Sequence, residues 1–133
     1  MTSRLACICL LGLAAAPARV QSQAIRHLSP EDSIAIIATG PASVPDQPLG
    51  LHIRFYPYGS LDDTTRLRRL ALELWHQVQR QVDSAGTLWV VLQATDQTPE
   101  PHTGYWPVRN YGFVVQKRAD GKWYLLHETK PFE

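Results

Sequence analysis

Between Gly50 and Thr95 the hydrophobic period changes from two residues to three and four and back to two, and this constrains the fold more than any other feature. Leu51, Ile53 and Phe55 alternate with His52, Arg54 and Tyr56, the pattern of a strand with one buried and one open face. That strand is predicted from Leu51 to Tyr58, with Pro57 and Gly59 ending it. Leu67, Leu70, Ala71, Leu74, Val78 and Val82 then recur at helical spacing and form one apolar stripe from about Asp63 to Ala85. Asp62 and Asp63 stand where an N-cap and a first-turn acid belong, and Gly86 suits the left-handed residue that closes a helix. From Thr87 to Thr95 the period returns to two. Leu88, Val90, Leu92 and Ala94 share the buried face, and Trp89, Val91, Gln93 and Thr95 the other.

The front of the chain reads in two parts. Residues 1–24 have the pattern of a secretory signal: Arg4, an apolar run from Leu5 to Ala16, and small residues at Ser22-Gln23-Ala24. The run is shorter than the roughly 20 residues that span a bilayer. An exported product, periplasmic or extracellular, is therefore expected, with no membrane insertion after signal removal. Cys7 and Cys9 would leave with the signal, so no disulfide is expected. The 13 Lys and Arg would fall to 11 on loss of Arg4 and Arg19, against 12 Asp and Glu. That near-neutral balance gives no electrostatic footprint for nucleic acid. About 109 residues would remain, one domain of ordinary size. At its start, Ser29-Pro30-Glu31-Asp32 predicts a helix cap with proline at the first position, and Ile34, Ile37 and Ala38 the buried edge of a short helix. Pro41, Pro45 and Pro48 predict an extended connector from Gly40 to Leu49. Residues 25–48 are thus expected as short helix and lead, and 49–129 as a strand, helix and three-strand unit.

The rear of the chain begins with a long irregular segment, Asp96 to Asn110, that carries Tyr105 and Trp106. Two strand-like runs follow, Tyr111 to Arg118 and Lys122 to Thr129, joined by Ala119-Asp120-Gly121, a strong hairpin signal. The expected fold is α+β: a two-layer domain with one short and one long helix on a mainly antiparallel sheet of about four strands.

Tyr111-Gly112-Phe113-Val114-Val115 followed by Asp120-Gly121-Lys122-Trp123-Tyr124-Leu125-Leu126-His127-Glu128 resembles the closing strands of NTF2-like (SnoaL-like) domains. The likeness runs from Thr87 onward, and the short front helix departs from the two longer helices usual there. It implies a small-molecule scaffold, with His52 as the candidate general base and Tyr56 or Glu128 assisting.

The residues themselves point to binding more than to catalysis. The five histidines (His27, His52, His76, His102 and His127) stand singly, none at the three- or four-residue spacing that puts two imidazoles on one metal, so neither metal nor cofactor is expected. No phosphate loop or nucleophile elbow is present. If the two central strands pair, His52, Arg54, Tyr56, Trp89 and Gln93 share one face, a mixture suited to a small anionic or ring-bearing ligand. Tyr105 and Trp106 are large aromatics in a loop, a type enriched at contact sites. The functional expectation is an exported, non-catalytic binding or accessory domain whose partner is a small molecule or an envelope protein. The alternative is the small-molecule enzyme that the resemblance implies.

Overall fold

The computed structural model describes residues 25–29, 32–98 and 107–133. Six strands and one α-helix occur among them: β1 (Ile25–Ser29), β2 (Asp32–Ala42), β3 (Gly50–Tyr56), α1 (Thr64–Ser84), β4 (Trp89–Thr95), β5 (Asn110–Lys117) and β6 (Trp123–Leu125). They form one mixed sheet in sequence order, β1-β2-β3-β4-β5-β6. Every neighbouring pair is antiparallel except β3 and β4, which run parallel. The helix between those two strands reverses the chain twice, so β4 starts again from the end where β3 began.

Helix α1 forms where the stripe predicts it. Leu67, Leu70, Ala71, Leu74, Trp75 and Val82 are buried, with Val78 packed at the margin. They share one cluster with Ile34 and Ile36 of β2, Ile53 and Phe55 of β3, Val90, Leu92 and Ala94 of β4, Phe113 and Val115 of β5, and Trp123 and Leu125 of β6. Trp75, fully buried, meets Trp123 edge to face at 4.8 Å between ring centroids. Asp63 is the N-cap, its carboxylate accepting the Arg66 N–H at 3.0 Å. The cap is thus one residue later than expected and no acid stands in the first turn; Asp62, the expected cap, pairs with Arg109 at 2.8 Å. Gly86 closes the helix with φ +71°.

The front of the chain corrects the expected fold: the described residues hold one helix where two were expected, and six strands where about four were expected. The predicted short helix is replaced by the β1-β2 pair, in which Ser29 stands opposite Asp32. Serine, proline and acids serve a tight reversal as well as a helix cap, and Asp32–Ala42 is rich in isoleucine, whose branched Cβ favours strands. Ile34 and Ile36 enter the core at a spacing of two, and the register shift between Ile36 and Ala38 accommodates Ile37. The predicted connector from Gly40 is shorter than expected, because Gly40, Pro41 and Ala42 still pair with β3. Proline is compatible with that position because, among the described residues, the β1 ladder reaches only to Ala35 and Pro41 has no ladder partner on that side.

The predicted last strand, Lys122 to Thr129, shrinks to Trp123–Leu125. His127 takes φ +68° and the Glu128 N–H turns back to Leu125 O at 3.0 Å, which ends the ladder. The signal-like residues 1–24 and the aromatic pair Tyr105 and Trp106 lie outside the described residues.

Candidate functional site

The helix commits one face of the sheet to the core, and the register sets what the other face carries. Opposite residues in a ladder share a face, so Gly40, His52, Val91 and Val114 form one row across β2 to β5, and Ala38, Arg54, Gln93 and Gly112 the next. Trp89, Gln116 and Tyr124 form a third row. No Asp or Glu stands in these rows, and Arg54 is their one permanent charge. The helix-opposed face is closed at one end, where Ala35 and Thr95 are 1% and 0% exposed, and open at the other.

At the open end lies an apolar groove of about 710 Å³. Trp89, Val91 and Val114 provide its floor, Leu88, Leu126 and Val44 its walls, and Gln47, Gln116 and Lys117 its polar margin. Leu88 and Val44 are each 47% exposed and Leu126 43%, a clustering of large apolar side chains at one spot of the surface. Trp89 explains itself in this setting. Its Nε1–H donates to Pro48 O at 2.6 Å, and its ring lies over Gly50, where a Cβ would fall 2.4 Å from the indole. The connector of residues 43–49 thus holds a large ring flat against the sheet, leaving little freedom to lose when something packs on it.

The polar residues named from sequence lie farther along the same face. His52 Nε2 and Gln93 Oε1 are 2.9 Å apart, and Arg54 Nη2 donates to Gln97 Oε1 at 3.0 Å. Arg54 Nε is buried without a hydrogen bond, and the guanidinium has no carboxylate partner among the described residues. Tyr56 turns to Tyr58, ring centroids 4.7 Å apart. His52, Arg54, Tyr56, Trp89 and Gln93 therefore share one face, but the polar four do not line the groove beside Trp89. Glu128 is remote from them: it pairs with Arg68 of α1 at 2.7 Å, on the helix side of the sheet.

Val44 and Leu126, which sequence reasoning did not single out for a site, stand in or beside turns, where no period marks them; Leu88, expected on the buried face, instead precedes β4 and is exposed at the groove. Among the described residues no three His, Cys, Asp or Glu converge as metal ligands, and no helix is long and apolar enough to cross a membrane.

The β5-β6 hairpin bounds the face on its far side. Arg118 stacks on Tyr124 at 4.1 Å from the ring centroid, and the Tyr124 hydroxyl donates to Asp120. That bond, helped by the Lys122 N–H, holds the Asp120 carboxyl below its ordinary 3.8 and raises the Tyr124 hydroxyl above its ordinary 10.0. A lowered carboxylate contributes stability above its unfolded pKa and loses it as pH falls; a raised phenol contributes below its unfolded pKa and loses it as pH rises. Urea midpoints of wild type and Asp120→Asn are therefore expected to differ at pH 6 and to converge as the pH drops below 3.8. A gap that persists unchanged into strong acid would contradict this origin.

No protein-family model matches this chain, and neither do the curated proteins or the solved structures compared with it.

Proposed function

We propose that this chain is a small non-catalytic binding domain, exported from the cell, whose ligand is a ring-bearing or otherwise apolar small molecule carrying negative charge. One observation carries the reading: a rigid tryptophan and a cluster of exposed aliphatic side chains form a groove on the sheet face that α1 does not cover. Burying apolar area is worth roughly 25 cal/mol per Å², so such a groove gains most from a flat or extended hydrophobic ligand. The charge preference follows from Arg54, which has no carboxylate partner among the described residues, with His52 in the neighbouring row, and from the lack of acids in the rows of that face; Lys117 at the groove margin is already paired with Asp83 of α1 at 3.3 Å.

The enzyme alternative draws less support. His52 bonds to an amide, which carries no charge to stabilise the imidazolium that a general base becomes, as a carboxylate would. Tyr56 and Glu128, its expected assistants, are engaged with Tyr58 and Arg68.

Anilinonaphthalene sulfonate, an anionic ring compound, is a direct probe. The folded chain is expected to bind it, and Trp89→Ala or Leu126→Gln to weaken binding about tenfold, roughly 1.4 kcal/mol, with circular dichroism unchanged. Equal binding by wild type and both variants would overturn the reading.

A further inference from the structure

A second feature of the sheet, separate from the groove at Trp89, is the unfinished edge of β5. Lys117 N–H donates to Leu88 O and Asp96 N–H to Arg109 O, so the odd-numbered residues of β5 turn their main-chain groups to β4. The even-numbered ones turn the other way: Arg118 N–H donates to Lys122 O, and Val114 O accepts from Leu126 N–H. Beyond Val114 this outward ladder has no partner among the described residues, because β6 has ended and the chain turns aside at His127. The main-chain groups of Asn110 and Gly112 are therefore left as an open edge among the described residues, and Asn110, Tyr111 and Gly112 are all exposed.

Gly112 makes this edge unusual. Glycine inside a strand costs stability through its backbone freedom, and is usually explained by a positive φ or by a neighbour that leaves no room for a Cβ. Neither applies. Its φ is not in the left-handed region, and an added Cβ would meet nothing closer than Val91 Cγ1, at 3.9 Å. The β4-β5 register also runs through Gly112 without a bulge, and close approach of another backbone or ligand is a further reason for glycine in a strand. A cleft of about 460 Å³ flanks the same edge on the helix side, between Thr64 and Arg68 of α1, Tyr111 and Phe113 of β5, and His127 and Glu128 after β6.

We propose that this edge takes up an extended peptide as an added strand, running antiparallel to β5 in the row that β6 leaves. Alternating donors and acceptors along one line are complementary to another extended backbone and to little else. The peptide residue opposite Gly112 is aromatic or β-branched, because the missing side chain leaves its place on the sheet surface empty. The residues on either side of it project into the cleft by α1 and are polar, matching Thr64, Arg68 and Glu128.

The test uses the full chain and a phage-displayed library of random heptapeptides, followed by synthesis of the enriched peptide. Gly112→Pro removes the outward N–H and no N–H that bonds β4, so the fold should survive. The enriched peptide is expected to bind wild type and to lose at least about tenfold in affinity for Gly112→Pro. In a second arm, the same peptide N-methylated at the amide facing Gly112 loses affinity for wild type, which decides the matter even if the proline variant unfolds. Failure to enrich any peptide, or equal affinity of the methylated and unmethylated peptides for wild type, would overturn the proposal.

Discussion

Trp75→Ala is expected to lower stability by about 3 to 5 kcal/mol, the largest loss of any single substitution considered. Trp75 is 0% exposed, lies in the α1 stripe and supports Trp123 of β6 from inside the cluster. Its removal leaves a void between the helix and the last strand, where β6 is too short to collapse inward. A domain of this size has roughly 5 to 15 kcal/mol in all, so the variant should be unfolded or nearly so at 37 °C. Trp75→Phe separates packing from polarity. The Trp75 Nε1–H has no hydrogen-bond partner among the described residues, so phenylalanine loses ring volume but also relieves an unpaired buried donor. Its loss should be well below that of alanine. Urea unfolding followed by circular dichroism measures both, and equal losses would show that the indole N–H has a partner after all.

The second large effect joins Gly50 to Trp89. A Cβ on Gly50 would lie 2.4 to 2.7 Å from three indole atoms, so Gly50→Ala must push the ring off the sheet and strain its bond to Pro48. Overpacking of this kind costs about 1 to 3 kcal/mol. In a Trp89→Ala background the same substitution no longer meets those three atoms and is expected to be neutral or slightly stabilising, since alanine restricts the unfolded chain more than glycine does. The double-mutant cycle should therefore show a coupling of about 1 to 3 kcal/mol. Additive effects would mean that the ring does not rest on Gly50. The same displacement would open the groove floor, so Gly50→Ala should also weaken binding of anilinonaphthalene sulfonate.

How much of this was legible in the residues depends on distance along the chain. The β3-α1-β4 unit was readable because each element declares itself within its own turn: alternation at Leu51 to Phe55, the stripe from Leu67 to Val82, Asp63 and Gly86 as stops. The Asp120-Gly121 reversal was readable for the same reason. Ser29 to Asp32 misled, since a cap and a reversal draw on the same residues, and the isoleucines after it fit either period until packing chose between them. The shortening of β6 depends on a left-handed histidine, a conformation that side-chain type does not announce.

The candidate face shows the same division. That His52, Arg54, Trp89 and Gln93 lie together follows from alternation once β3 and β4 pair. What makes Trp89 rigid does not, because Pro48 and Gly50 are some 40 positions away in the chain. Val44, Leu88 and Leu126 come from three separate turns and meet only when the sheet is assembled.

The central claim is that the sheet face away from α1 is the binding surface of this domain. Titrating anilinonaphthalene sulfonate into isotopically labelled protein, and following the backbone amide resonances, tests it most directly. Shifts concentrated at Trp89, Val91, Val114 and Gln116, with the exposed side of α1 at His76 and Gln79 unmoved, are the expected result. Shifts centred on His76 and Gln79, with the Trp89 row unmoved, would contradict it.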